Sequence, residues 1–114
     1  MRKLAKTFQA LSDTNRIRIL KMLEVRPLCV CEITDVLKLA NSTVSKHLSI
    51  LRDAEFIFDK KDGKWVNYFL NDTKSNAYIT KLLPLISTWL PDDEVITNDR
   101  IKVKIVDRNI ICGT

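Results

Sequence analysis

Apolar residues recur along the first half of this chain at the three- and four-residue spacing of helices, and each run stops at a polar or proline break. Leu4, Phe8 and Leu11 predict an amphipathic first helix that ends at Ser12-Asp13-Thr14, where a second helix can be capped. Ile17, Leu20 and Leu23 or Val25 face the core from that second helix, with Arg16, Arg18 and Lys21 left in water. Pro27 opens a helix readily but cannot sit inside one, so Arg26-Pro27-Leu28 is a connector. Cys29 and Cys31 then fall at the start of a third helix, whose apolar face is Ile33, Val36 and Leu37. A tight break at Leu39-Ala40-Asn41-Ser42 offers Asn41 or Ser42 as N-cap of a fourth helix, with Val44, Leu48 and Leu51 pointing inward. Two short helices joined this tightly describe a helix-turn-helix, whose second helix enters the DNA major groove.

The pattern changes after Leu51. Phe56-Ile57-Phe58 and Trp65-to-Leu70 are β-prone runs separated by Lys60-Lys61-Asp62-Gly63-Lys64, and Asp-Gly between such runs predicts a hairpin turning on those two residues. A hairpin with a basic tip directly after a helix-turn-helix is the wing of a winged helix. A lysine-protected surface hairpin has the same composition, and only its position favours the wing. Residues 74–90 read as a last helix, apolar around most of its circumference, with Pro84 expected to kink or split it. So small a domain cannot cover both faces of that helix, whereas a second copy of the chain would. Residues 91–114 shift in character. Ile101, Val103 and Ile105 alternate with Arg100, Lys102 and Lys104, which predicts an edge strand or a flexible tail. The expected class is mainly α with a small β-hairpin, a dimeric winged helix-turn-helix over residues 1–90 followed by a C-terminal tail.

On a helical wheel, Ser42, Thr43, Ser45, Lys46 and Ser49 lie away from the apolar face of the fourth helix. Short hydroxyls and one cation suit close approach to base edges and phosphates. Alone they describe any solvated helix face equally well; the capped turn before them and the hairpin after them favour the groove. Lys60, Lys61 and Lys64 are the candidate wing contacts.

Composition refines this picture without creating it. The chain has 114 residues, 46% of them apolar, which suits one domain with a modest core. No apolar run is long enough to span a membrane, and MRKLAKTF has no apolar signal region, so a soluble, cytoplasmic protein is expected. Net charge is +5, but residues 1–26 supply most of the excess. The proposed reading elements are nearly neutral, so charge supports DNA binding less than geometry does.

The lone His47 flanks the core face and reads as a structural or DNA-proximal histidine. No Ser/His/Asp set, paired carboxylates or Gly-rich phosphate loop occurs, so an enzyme is not expected. Three cysteines, two of them one residue apart, argue against a disulfide framework and for a reducing compartment. Cys29 and Cys31 are either inert core residues or thiolates favoured by a helix N-terminus, and soft thiolates select soft ions. The spacing of three Cys and one His does not suit tetrahedral zinc.

Leu11-Ser12-Asp13 with Arg16, Ile19 and Leu20, then Leu28-Cys29-Val30-Cys31-Glu32, then STVSKHLSILRDA from Ser42, and Gly63-Lys64-Trp65-Val66 with Tyr68 and Leu70 together resemble the ArsR/SmtB family. The resemblance covers about residues 4 to 90. It implies a homodimeric winged-helix repressor that binds double-stranded operator DNA without a cofactor, pairs through its last helix and is released by metals or metalloids. The Cys-Val-Cys placement is similar to members that respond to trivalent arsenic or antimony, which implies Cys29 and Cys31 as ligands. Arsenite-type relatives often carry a third cysteine where this chain has Thr34, leaving Cys112 as the other candidate thiol. Many relatives also have Gly at the end of the recognition helix, where Glu55 implies a left-handed cap that is absent or strained. A redox or other soft-metal sensor remains open, as does, from a different class, a small thiol redox enzyme or metalloid carrier.

Overall fold

The computed structural model describes residues 1–112. Its elements in chain order are α1 (Arg2–Ala10), α2 (Thr14–Leu23), β1 (Leu28–Cys29), α3 (Val30–Leu37), α4 (Asn41–Asp53), β2 (Ile57–Asp62), β3 (Trp65–Leu70), α5 (Ala77–Ser87), α6 (Glu94–Ile105) and α7 (Arg108–Ile111). Helices α2, α3 and α4 enclose a core in which Ile19, Leu20, Met22, Leu28, Ile33, Leu48, Leu51 and Phe56 are essentially sealed from solvent. The expected apolar sets of α3 and α4 are all buried.

The hairpin forms as expected, but its loop is Gly63-Lys64, because Asp62 still pairs with Trp65 in the ladder. Gly63 alone of the loop pair has positive φ, at 60°, the demand of a turn whose first central residue is glycine. A third strand was not foreseen: β1 adds to the free edge of β3, with Cys29 opposite Asn67, giving the order β1-β3-β2. Two residues are too short to show any alternation in sequence. Their pairing nevertheless roots the wing at the first turn of α3.

Three other expectations change, and one open alternative is decided. Helix α4 begins at Asn41, so its N-cap is Ala40, which offers no side-chain acceptor; Asn41 Oδ1 instead accepts from the Thr34 hydroxyl at 3.3 Å. Arg16 and Lys21 are not in water. Arg16 closes the end of α1, donating to the Ala10 carbonyl at 2.8 Å, and faces His47 Nδ1 at 3.2 Å. Lys21 is 0% exposed and donates to the Ile86 carbonyl at 2.8 Å near the end of α5, with Glu24 at 3.0 Å as its counter-ion. Arg16 is buried where it meets carbonyls at the end of α1, and Lys21 where it adds a charge-assisted hydrogen bond to the Ile86 carbonyl beside its counter-ion Glu24. Helix α5 runs through Pro84 as one element; Pro84 is exposed, so water can take the carbonyl its missing N–H leaves unmade. At Glu55 the left-handed cap is present, with φ 68°, and the Phe56 N–H closes back on the Leu51 carbonyl at 3.0 Å. Asn71 holds the Glu55 carbonyl at 2.9 Å, offsetting a conformation that costs a non-glycine residue roughly 1–2 kcal/mol.

The largest correction concerns residues 91–112, where the chain forms α6 and α7 rather than a strand or a loose tail; the rest of the expected tail lies outside the described residues. Asp93 caps α6 through the Ile96 N–H at 3.1 Å, and α6 lies on α2 and α3 with Ile96, Asp99 and Val103 buried. Those three positions follow helical spacing, but the middle one is a carboxylate, so an apolar stripe does not register. Arg18 meets Asp99 with two nitrogens, at 2.8 and 2.9 Å, and this hydrogen-bonded pair raises the guanidinium pKa further above its ordinary value. Arg18→Ala should strand a carboxylate that is 2% exposed. The expected cost is roughly 3 kcal/mol, the low end for a broken buried pair because Arg18 keeps a fifth of its side chain in water. Chemical denaturation measures it, and a loss no larger than that of an exposed-arginine control would remove this anchor from the account.

Candidate DNA interface and thiol site

Helix α4 presents Ser42, Thr43, Ser45 and Lys46 to solvent, with Ser49 half-buried at the edge, while Val44, Leu48 and Leu51 fix the opposite face. The hydroxyls and the ammonium therefore share one outward surface. At the far end of the hairpin Lys60, Lys61 and Lys64 are all exposed, with Lys64 Nζ 4.9 Å from the centre of the Trp65 ring. His47 is half-buried against Arg16, as a structural histidine would be. An outward polar helix after a tight turn, followed by a basic antiparallel hairpin, makes this a winged helix-turn-helix of the DNA-binding class.

The cysteines sit at the junction of sheet and helix. Cys29 ends β1 and is the N-cap of α3, where it and Glu32 form a reciprocal capping box; the Glu32 carboxylate accepts the Cys29 N–H at 3.0 Å. Cys29 is buried, and burial pushes its thiol pKa up; the neighbouring carboxylate adds to this, and the Glu32 backbone N–H only partly opposes it. The expected thiolate-favouring helix N-terminus is thus outweighed at Cys29 by desolvation. Cys31 turns the other way and forms a disulfide with Cys112, with Cα atoms 6.3 Å apart. The odd cysteine count argues against a disulfide framework; a single link nevertheless forms, because α7 brings Cys112 back to α3. A cleft of about 360 Å³ opens over the link, lined by Cys31, Thr34, Asp35, Asn41, Ile111 and Cys112, so the thiol site adjoins the first residue of α4.

Trivalent thiophilic ions need converging thiolates. Reduction of the disulfide would leave the Cys31 and Cys112 sulfurs side by side, whereas Cys29 is buried at the end of β1. Among the described residues no three His, Cys, Asp or Glu side chains already converge as a ligand set.

Several residues that position these sites gave no sequence signal of doing so. Arg26 donates to Glu32 at 3.0 Å and to the Val103 and Val106 carbonyls at 3.2 and 2.8 Å, tying α3 to the end of α6. Arg108 donates to Asn67 Oδ1 at 2.8 Å and to Asp62 at 2.9 Å on the wing. Each bridges segments tens of residues apart, and no local periodicity encodes such a contact.

Known proteins agree with this class. A model described as "Bacterial regulatory protein, arsR family" matches residues 13–58. The chain is 32% identical over 106 residues to the arsenical resistance operon repressor of Escherichia coli K12, spanning 90% of this chain and 80% of that one. It is 37% identical over 84 residues to the protein of the same description from Bacillus subtilis, spanning 73% and 80%. Among solved structures, HlyU from Vibrio cholerae superposes with a TM-score of 0.60 at 32% identity, over 74% of this chain and 91% of that one. The chain belongs to the arsR family of bacterial regulatory proteins; it is a winged-helix transcriptional regulator and not an enzyme.

The buried thiol gives a pH prediction with a definite sign. Because the folded pKa of Cys29 lies above its unfolded value, the fold favours the neutral thiol. That stabilisation is complete below about pH 8.5 and is lost as pH rises through the folded pKa. Melting temperature should therefore fall more steeply between about pH 8 and 10 in the wild type than in Cys29→Ala. Parallel curves for the two proteins would show that ionising Cys29 does not oppose the fold.

Proposed function

We propose that the protein is a cytoplasmic, homodimeric repressor that binds a two-fold operator through α4 and the wing and is released by trivalent arsenic or antimony. The ligands are Cys29 and Cys31, with Cys112 as the third thiol, and no cofactor is needed for DNA binding. The observation that carries the reading is that the cysteines gather at the first turn of α3, which packs on α4 and shares a cleft with Asn41. Two relatives described as arsenical resistance operon repressors support it. No helix among the described residues is long and apolar enough to cross a membrane.

Residues 1–90 carry DNA binding and pairing, and the C-terminal segment after residue 90, described to residue 112, answers to the thiols. Pairing is supported by an apolar groove of about 450 Å³ lined by Phe8, Leu11, Ile17, Leu82, Ile86 and Trp89, where Phe8 is 56% and Trp89 48% exposed. A second copy would cover that groove.

The disulfide favours one further reading, a redox-responsive regulator. Two thiols and one peroxide would give the Cys31–Cys112 disulfide and two waters. The two readings separate on Cys29, which the redox reading does not use.

Ser45→Ala or Lys46→Ala should weaken the specific site by roughly 1–3 kcal/mol if these side chains meet base edges. Lys61→Ala or Lys64→Ala should weaken specific and random DNA alike and flatten the salt dependence. Titrating fluorescent operator DNA at several salt concentrations tests both, and unchanged affinity in all four variants would put the wrong helix in the groove.

Cys29→Ser/Cys31→Ser should still bind operator but lose release by arsenite. Normal release of that variant by arsenite would sink the metalloid reading. Release of wild type by peroxide, with arsenite inert and Cys29→Ser fully responsive, would establish the redox alternative.

A further inference from the structure

We infer that Arg108 masks Asp62 at the wing tip, and that the Cys31–Cys112 link, one turn further along the chain, holds it in that seat. The inference rests on the wing meeting DNA phosphates, as proposed above. The strand pair carries three lysines but also Asp59 and Asp62, and a bare carboxylate among phosphate-directed lysines weakens their field. Asp59 is answered by Arg52 at 3.4 Å, from the neighbouring α4. Asp62 is 60% exposed and is answered by Arg108, which arrives from 46 residues later.

Arg108 is held by three groups of the wing. One nitrogen donates to Asp62 and another to Asn67, and the guanidinium carbon lies 5.1 Å from the Trp65 ring centre. An exposed ion pair alone would be worth little. A fork bound to two acceptors over an aromatic face has a defined position instead.

Helix α7 is only four residues long and cannot hold itself. Its near side is anchored where Arg26 takes the Val103 and Val106 carbonyls. Its far side is anchored where the Cys112 N–H donates to the Arg108 carbonyl at 2.9 Å and the Cys112 sulfur is bonded to Cys31. Parting Cys112 from Cys31 removes the second anchor, and the seat of Arg108 then depends on the wing contacts alone. Arg108 is thus a positioning residue, acting on DNA through Asp62 and reporting on the thiols through its helix.

The test is operator titration with full-length protein whose link is verified by a single free thiol per chain. Arg108→Gln should weaken operator binding about threefold to tenfold at low salt and less at high salt. The same substitution in an Asp62→Asn background should have no effect, since there is no carboxylate left to mask, and Arg108→Lys should recover part of the loss. In a Cys112→Ser background the Arg108→Gln penalty should shrink to under about twofold, roughly the noise of one screened charge. Trp65 emission in a Trp89→Phe background gives a readout independent of DNA, and should shift both in Arg108→Gln and in Cys112→Ser. A full penalty that persists with Asp62→Asn would make Arg108 itself a phosphate contact and overturn the masking. An undiminished penalty and unmoved Trp65 emission in Cys112→Ser would overturn the link to the thiols. If Lys61→Ala weakens binding and Arg108→Gln does not, this inference fails and the wing reading stands; if neither does, both fail.

Discussion

The carboxylate of Glu32 is the point through which the separate parts of this small fold are joined. It is almost wholly buried, yet it accepts from the Cys29 N–H at the end of the sheet and from Arg26 at the end of the α2–β1 connector. Arg26 in turn takes the terminal carbonyls of α6. A buried charge persists only where it is paired and hydrogen-bonded. Glu32 therefore forces β1, α3 and α6 to arrive together, and β1 brings the wing with it. The two-residue strand is thus held at the edge of β3 from both sides, by the sealed Leu28 side chain and by the Glu32 bond to the Cys29 N–H.

That arrangement explains what could be read from the sequence and what could not. The apolar stripes of α3 and α4 and the glycine of the hairpin were legible because each is a local signal set by one element's own geometry. The α6 stripe was not, since Asp99 occupies its centre and is acceptable there only because Arg18 lies opposite. Arg16 and Lys21 were misread for the same reason: a cation looks solvated until the helix end it caps is known. The alternation of Ile101, Val103 and Ile105 imitated a strand because only Val103 of the three faces the body, leaving Ile105 76% exposed. The polar helix face and the wing lysines stood out as candidates because exposure and composition coincide there. Arg108 could not, being defined solely by partners on the wing.

The thiols show the same division. Their adjacency in sequence suggested one site with similar sulfurs. The fold instead gives Cys29 to the sealed junction with Glu32 and turns Cys31 toward the C-terminal arm. One sulfur is held protonated by burial, and the other is held by a covalent partner. Their chemical difference arises because Cys29 is the extended last residue of β1 while Cys31 is already inside the first turn of α3.

On the proposed reading, that division between strand end and helix start is itself the source of the response. A single ion that binds both Cys29 and Cys31 has to draw together a sulfur sealed at the end of β1 and one turned toward the C-terminal arm. Drawing the sulfurs together disturbs the capping box, and with it the Glu32 carboxylate that holds Arg26. Cys31 and Cys112 can join the ion only once a cellular dithiol has reduced their disulfide to two thiols, being itself oxidised to a disulfide, and that cleavage loosens the arm from its far end as Arg26 loosens it from the near end. Both effects converge on α7, the short helix least able to keep its shape unaided. Ligand binding shifts an equilibrium only by its difference in affinity for the two shapes, and about 1.4 kcal/mol of such coupling changes DNA affinity tenfold. The energy involved is comparable to one well-made hydrogen bond. An arm held by two arginines and one sulfur link is thus within reach of a small ligand, whereas the α2–α4 core is not.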